Sequence, residues 1–181
     1  MSGEKKIEII GTSNRYQINK LKKEEKSIKM RKTTEKIGLP TEYYSIENQF
    51  KVLADLHNKT VHFIQPENRQ VILSQIETKL YGYRQQDQLK KRLNSELLIK
   101  TDDTIKLLYD CELKCYYCQE KTMILYDIVR EMNQWSLDRI DNNIGHNFGN
   151  VLISCLSCNL KRRRTGKDAF LFTKQLNIVK I

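Results

Sequence analysis

Residues 115–118 read Cys115-Tyr116-Tyr117-Cys118, and after 36 intervening residues the chain reads Cys155-Leu156-Ser157-Cys158. Two residues between cysteines allow both sulfurs of a tight turn to face one ion. Two such turns supply the four thiolates that a structural zinc ion prefers. The spacing therefore predicts a closed structural zinc site with four ligands: Cys115, Cys118, Cys155 and Cys158.

The cysteine count also indicates the redox environment. All five cysteines lie between residues 111 and 158, and no apolar stretch near residue 1 has the length of a signal peptide. An odd count without a secretion signal argues against a disulfide framework and predicts an intracellular, reducing compartment. The fifth cysteine, Cys111, has the less regular spacing Cys-x-x-x-Cys to Cys115, and we expect it to be a buried or idle thiol.

Composition limits the class of protein. A chain of 181 residues has room for one compact domain, or for a small domain with an appendage. A hydrophobic fraction of 39% is enough to build a core, which excludes a wholly disordered chain. No apolar run approaches the roughly 18 residues that span a bilayer, so we expect a soluble protein.

The chain is strongly basic, with 32 Lys and Arg residues against 22 Asp and Glu residues and a net charge of +10. Such a balance favours polyanionic partners through phosphate contacts and counterion release. Membrane binding is not expected, because the chain lacks a basic amphipathic helix with an aromatic face and lacks a lipidation motif. Nucleic acid is therefore the predicted partner.

Two segments precede the cysteines. Residues 1–37 hold eleven Lys or Arg residues against five Glu residues, and we expect a basic arm that either lies along a phosphate backbone or only keeps the chain soluble. Residues 38–110 are predicted to form a helical region, with no chemistry visible in its sequence.

Four helices are predicted in the helical region. One begins near Thr41 and runs for about 15 residues, and the next begins at Pro66, with Gly82 as its expected break. A third is predicted from three leucines that recur every four residues, Leu89, Leu93 and Leu97. A fourth begins at Thr101, where a capping residue precedes two acids.

The pattern changes after residue 110. Residues 123–129 and 151–154 are rich in β-branched residues and predict strands, and residues 141–145 are a dense turn signal. The expected architecture is thus α+β, with a zinc-stapled module at residues 111–168 and a C-terminal tail at residues 169–181.

Five ordered sequence elements carry a family resemblance. They are Trp135-Ser136-Leu137-Asp138-Arg139-Ile140-Asp141-Asn142, Gly145-His146-Asn147, Asn150-Val151, the second cysteine pair followed by Asn159, and a basic tail. Together they resemble the HNH (ββα-metal, His-Me finger) endonucleases, and most closely the zinc-bound four-Cys type found in phages and in large DNA viruses of eukaryotes. The resemblance covers about residues 111–168.

The resemblance implies a treble-clef-like fold in which a β-hairpin is followed by a helix. The strands would be residues 136–141 and 151–154, with a loop at residues 144–150 and the helix at residues 156–164. It also implies a catalytic Mg²⁺ or Mn²⁺ held by Asp138 and Asn159, with Asn150 bracing the loop. Two oxygen ligands would leave room for waters and a phosphate oxygen.

Arg139 departs from the family pattern, because the usual residue there is a His that deprotonates the attacking water. An Arg stays protonated and cannot act as that base. Arg139 is instead predicted to bind the scissile phosphate or to stabilise its developing charge. His146, Asp141 or a metal-bound hydroxide are the alternatives for the base, and a His in this loop could equally pack or contact DNA.

Five cations follow the second cysteine pair and are predicted to bind phosphate: Lys161, Arg162, Arg163, Arg164 and Lys167. The expected function is metal-dependent hydrolysis of DNA phosphodiester bonds, in the form of nicking, on double-stranded or branched DNA. The alternative is a zinc-dependent DNA-binding protein on an inactive HNH scaffold, acting in transcription, replication or packaging. The oligomeric state is not predicted, although a junction-resolving enzyme would need a dimer. If the protein is viral, we expect it in the host cytoplasm or nucleus, or in the virion.

Overall fold

The computed structural model describes residues 28–32 and 37–176. They form five α-helices, a 3₁₀ turn and a two-stranded sheet, and the predicted α+β composition is confirmed. The elements are a 3₁₀ turn at Thr41–Tyr44, α1 at Ile46–Asn58, α2 at Pro66–Leu89, α3 at Thr101–Asp110, β1 at Trp135–Arg139, β2 at Val151–Cys155, α4 at Leu156–Arg162 and α5 at Lys167–Gln175. Most of the predicted basic arm lies outside the described residues.

The helices and the hairpin share one hydrophobic core. Leu53 of α1, Ile76 of α2 and Leu108 of α3 are fully buried in the same cluster as Trp135 and Leu137 of β1. The helical region is therefore packed directly against the hairpin. This packing brings the far end of α2 beside the hairpin loop.

Helix α2 runs through Gly82 to Leu89, so the predicted break at Gly82 is wrong. Tertiary contacts hold its last turns, because Tyr83 Oη accepts a hydrogen bond from the backbone N–H of Leu137 in β1, at 3.0 Å. The predicted helix over Leu89, Leu93 and Leu97 is absent, and Leu89 is 85% exposed. The helical pattern ends at Leu89, since Lys91 has a φ of +55°, and the Asn94 side chain then accepts from the N–H groups of Glu96 and Leu97 in the turn that follows.

Residues 123–129 do not form the predicted strand, because a buried side chain takes the place of a partner strand. Gln49 of α1 accepts hydrogen bonds from the N–H groups of Ile124 and Leu125 through Oε1. Its Nε2 donates to the carbonyl of Leu125 at 3.0 Å. Gln49 thereby satisfies the backbone of Ile124 and Leu125 in the middle of the run. The ends bond elsewhere, since Met123 donates to the carbonyl of Asn133 and Val129 to that of Lys29.

The hairpin and the helix after it follow the predicted order. β1 and β2 pair antiparallel, with Asp138 opposite Leu152, and α4 starts directly after β2. β1 ends at Arg139, two residues before the predicted end, and α4 ends at Arg162 because Arg163 has a φ of +53°.

The described part of the predicted C-terminal tail, residues 169–176, is helical as far as Gln175. Residues 167–175 form α5, and its Phe170 is buried against Tyr117 at a ring-centroid distance of 4.9 Å. This contact closes the module over the first cysteine turn. No helix in residues 28–32 and 37–176 combines the length and the apolar character that crossing a membrane requires.

Candidate metal centre and active-site cavity

The four predicted zinc ligands come together. The Sγ atoms of Cys115, Cys118, Cys155 and Cys158 all lie within 4.8 Å of one another, and only Cys118 is partly exposed. Cys155 closes β2 and caps α4, where its Sγ accepts from the N–H of Cys158 at 3.3 Å. The hydrogen bond between Cys115 and Cys155 lowers the pKa of Cys115 and raises that of Cys155, so the two thiols share one proton in the absence of a metal. The cluster is therefore able to hold a metal such as zinc, and the donor set is that of a closed structural site.

Cys111 stands apart from this cluster. Its half-buried Sγ donates to the carbonyl of Leu108 at 3.3 Å, and burial raises the pKa of the thiol. The expectation of an idle thiol agrees with this placement.

Asp138 is buried in a network that reaches the cysteine cluster. Its Oδ2 accepts from Tyr117 Oη at 2.7 Å, and Tyr117 lies between the first two cysteines. Its Oδ1 accepts from Arg162 Nη1 at 2.6 Å. Burial raises the pKa of Asp138, and the Tyr117 and Arg162 donors oppose that shift. Both oxygens of this carboxylate are thus engaged inside the protein.

Arg162 is placed differently from its basic neighbours. It is 1% exposed, and its guanidinium also donates to the carbonyls of Arg139 at 2.6 Å and Ile140 at 3.1 Å. It therefore ties α4 to the end of β1 and does not present its charge at the surface. Of the five predicted phosphate-binding cations, three are exposed and Lys167 is half-buried: the exposed ones are Lys161, Arg163 and Arg164.

A catalytic Mg²⁺ or Mn²⁺ does not fit the present arrangement of Asp138, which would have to release Arg162 or Tyr117 to ligate an ion. Asn159 donates through Nδ2 to Ser136 Oγ and to the carbonyl of Leu137, and its Oδ1, the atom that would ligate, takes no part in these contacts. Hard divalent cations take about six oxygen ligands. In the described residues, the cysteines are the single group of three or more His, Cys, Asp or Glu side chains close enough to share an ion. The divalent site remains a prediction of the resemblance, and no chemical step is assigned to it.

No role was predicted for Asp87 from the sequence, yet this residue contacts His146 at the centre of the site. It is fully buried near the end of α2, and its Oδ2 accepts from the backbone N–H of His146 at 2.6 Å. Both of its oxygens lie 3.0 Å from Nδ1 of the same histidine. A sequence signal did exist: Ile76, Tyr83 and Asp87 fall on one helical stripe, where a carboxylate is out of place unless it has a partner.

His146 is held from several sides. Its carbonyl accepts from the N–H of Ile99 at 3.0 Å, and its ring lies 4.5 Å from the ring of Tyr83. The residue before it must be a glycine, since a Cβ at Gly145 would lie 2.9 Å from Asp87 Oδ2 and 2.6 Å from the carbonyl oxygen of Arg92. Burial lowers the pKa of His146, although the Asp87 charge acts in the opposite direction.

One cavity of about 360 Å³ brings together four of the five residues predicted for catalysis and the divalent metal. It is lined by thirteen residues, and they include Asp138, Arg139, His146 and Asn159. Tyr83 and Lys90 from the α2 side also line it. The cavity therefore combines a buried histidine with cationic and amide side chains.

Asn150 and Asp141 lie outside this lining and shape the loop instead. Asn150 Nδ2 donates to the carbonyls of Asp141 and Gly145, and its Oδ1 accepts from the N–H of Asp141. Asp141 Oδ1 accepts from the N–H of Asn143 at 2.8 Å. Asn150 makes the bracing contacts that the resemblance implies, and Asp141 is occupied with its own turn.

A second, larger cavity of about 770 Å³ continues from the first. The two share Lys90, Arg139, Asn142 and Arg163, and the larger one extends to Arg92 and Arg164. Five of its seven lining residues are Lys or Arg, so the surface beside His146 is suited to an extended polyanion.

Comparisons with known proteins return no relative: no family model, no curated protein and no solved structure matches this chain.

Proposed function

We propose that this protein is an HNH-type endonuclease that hydrolyses DNA phosphodiester bonds, in the form of nicking. The observation that carries the proposal is a histidine with one ring nitrogen fixed by a buried carboxylate, in a cavity that also holds Arg139. A general base needs a side chain with a suitable pKa at a fixed position, and a cleft that only binds DNA has no need of one. The contact with Asp87 fixes the ring of His146, and burial lowers its pKa, which favours the neutral form that a base requires.

The proposed reaction uses residues of the cavity in separate roles. Arg139 binds the phosphate oxygens and offsets the charge that develops on them. Nε2 of His146 takes a proton from a water molecule, and the oxygen of that water forms a bond to phosphorus. The bond from phosphorus to the sugar oxygen breaks with its electron pair, and that oxygen takes a proton from solvent. The net change is the addition of one water molecule across the phosphodiester bond.

The larger cavity supports a polymeric substrate. If Arg139 holds the scissile phosphate, Arg92 and Arg164 lie at the far end of the same cationic surface and are available to neighbouring phosphates. Contacts of this kind position a nucleic acid without reading its sequence. The expected binding is therefore strong at low salt and independent of sequence.

Zinc has a structural role in this proposal. Four thiolates leave no coordination position for water, so a zinc ion there would not catalyse. The cluster acts through Tyr117, whose hydroxyl supports Asp138 and with it the end of β1. The ion would hold the hairpin and α4 in register.

One observation favours a second candidate, a DNA-binding protein without catalytic activity. Both oxygens of Asp138 are already engaged, by Tyr117 and Arg162, so the residue that the resemblance assigns to the catalytic metal is closed. The basic surface would bind DNA without any cleavage. This candidate predicts binding that His146 does not influence.

Plasmid nicking at low salt separates the two candidates. Zinc-loaded protein is compared with His146→Ala and with His62→Ala, which alters an exposed histidine outside the cavity. We expect wild type and His62→Ala to nick alike and His146→Ala to lose about 10²-fold or more of the rate. The assay is run in metal-free buffer and with Mg²⁺ or Mn²⁺, which also asks whether Asp138 opens to an ion. Wild-type protein that is folded and bound to the plasmid, yet never cuts it under any of these conditions, would establish the DNA-binding candidate.

A further inference from the structure

We infer that Asp87 is a positioning residue of the site: it fixes the tautomer and orientation of His146, so that the helical region completes the active site of the cysteine module. The inference rests on the proposed nuclease for its catalytic meaning. Its structural part, the tautomer of His146, can be measured without any activity.

The placement of Asp87 depends on packing between the two regions. Helix α2 passes Gly82 and continues for seven residues, which carries Asp87 to the hairpin loop. Tyr83, one turn earlier, is anchored on β1 through the N–H of Leu137. At Gly145 the loop comes so close to Asp87 that no side chain larger than hydrogen fits. The carboxylate is therefore held in place from both of the elements that meet there.

The contacts of Asp87 determine which nitrogen of His146 carries the proton. An ionised carboxylate only accepts hydrogen bonds, and both oxygens lie 3.0 Å from Nδ1. Nδ1 must then be the protonated nitrogen of the neutral ring, and Nε2 keeps its lone pair. This is the form that can accept a proton from water. Without Asp87, neither tautomer is favoured by this contact.

The charges around His146 support the same form. Arg139 Nη1 lies 3.9 Å from Asp87 Oδ1, and Arg139 and Lys90 act on the histidine as positive charges. These cations and burial lower the pKa of His146, while Asp87 raises it. Tyr83 packs on the ring without contributing charge, since burial raises the pKa of its hydroxyl well above the usual range. Burial and these cations thus keep the base neutral, and Asp87 orients it.

The test exchanges the carboxylate for its amide. In Asp87→Asn the Oδ1 atom can still accept from the backbone N–H of His146, but the Nδ2 group now donates towards Nδ1. That donor stabilises the opposite tautomer, with the proton on Nε2, and the base is lost. The matched control is Asp55→Asn, because Asp55 is also buried and accepts from Thr60, Phe63 and Ile64 at a site remote from the cavity.

Two measurements are made on these variants. The first is the ¹⁵N chemical shift of each ring nitrogen of His146, which reports its tautomer. We expect Nδ1–H in wild type and Asp55→Asn, and Nε2–H in Asp87→Asn. The second is the nicking rate as a function of pH, for which we expect Asp87→Asn to lose about 10²- to 10⁴-fold while Asp55→Asn keeps the wild-type rate and pH profile.

The outcomes separate the two proposals. If wild-type His146 carries its proton on Nε2, or if folded Asp87→Asn keeps the wild-type tautomer and rate, the role given to Asp87 is wrong. Should Asp87→Asn fail to fold, the wild-type tautomer alone decides. If the wild type has Nδ1–H but never cuts DNA, Asp87 does set the tautomer of His146. The proposed nuclease activity, and with it the catalytic role of Asp87, would then be wrong.

Discussion

Two buried carboxylates, Asp138 in β1 and Asp87 in α2, lie beside the hairpin loop and differ in their partners. Both oxygens of Asp138 accept hydrogen bonds, one from Tyr117 and one from Arg162. These contacts hold β1 against α4 and the cysteine cluster. Asp87 meets a histidine whose second ring nitrogen is not used by that contact. Adjacent residues of a strand point to opposite faces, and Arg139, next to Asp138, turns towards Asp87. We therefore distinguish a structural face, built on Asp138, from a chemical face, built on His146.

The largest expected effect is on the structural face, at the metal cluster. Cys158→Ser removes one of four thiolates, and the apparent free energy of structural zinc binding is of the order of 10 kcal/mol, so we expect loss of the metal and unfolding of the module. Cys111→Ser is the matched control, because Cys111 lies outside the cluster. Zinc content and thermal unfolding measure both variants. A Cys158→Ser protein that keeps its Tm would show that the cluster does not stabilise the fold.

The second effect tests whether the Asp138–Arg162 pair is structural. Arg162→Ala leaves the carboxylate of Asp138 buried with Tyr117 as its sole remaining side-chain donor, and breaking such a pair costs about 3–5 kcal/mol of unfolding free energy. Arg164→Ala is the control, because an exposed arginine of the same segment should change stability by about 0.5 kcal/mol or less. Urea unfolding gives both values. Equal stability of the two variants would mean that Asp138 does not depend on Arg162, and would reopen Asp138 to a metal ion.

The two faces also differ in how far the sequence predicts them. The spacing of the cysteines and the pattern from Trp135 onward specify the hairpin, α4 and the metal cluster, because these contacts are local or tied by a repeated motif. Asp87 lies 59 residues from His146, and no spacing rule connects a helix end with a distant loop. The burial of Arg162 is invisible for the same reason, since a run of cations predicts a solvated helix end.

The failed predictions have a common physical cause in tertiary contacts. Gly82 costs helix stability locally, but Tyr83 and Asp87 beyond it are fixed on the hairpin and keep α2 intact. The run at residues 123–129 has strand composition, but in its middle Gln49 of α1 bonds the backbone of Ile124 and Leu125. In both cases long-range contacts outweigh the local propensity.

The third effect is the pH dependence of nicking, which tests His146 on the chemical face. The pKa of His146 is lowered by burial and by the cations Arg139 and Lys90, so the neutral base is present at pH 7 and the ring protonates only below its ordinary value of about 6.5. We expect a nicking rate that is constant from pH 8 to about 6.5 and then falls about tenfold per pH unit once the pH is below the lowered pKa. Arg139→Gln removes one neighbouring cation, so its fall should begin at a higher pH. A wild-type rate that begins to fall above pH 7 would contradict the assignment of His146 as the base.

The smallest effect is expected at the outer end of the cationic surface, which lies outside the contacts of Asp138 and Asp87. Arg164 lines only the larger cavity, whereas Arg163 and Arg139 line both. Arg164→Gln should weaken DNA binding by a similar factor for all sequences and should reduce the slope of log K against log salt concentration by about 1, because one phosphate contact is lost. Its nicking rate at saturating DNA should stay at the wild-type value, since the base and the bound phosphate are unchanged. Binding titrations at three salt concentrations measure the slope, and Lys174→Gln in α5, outside both cavities, is the control. A sequence-dependent loss of affinity would instead place Arg164 against a base edge, and the chemical face would then read DNA as well as cut it.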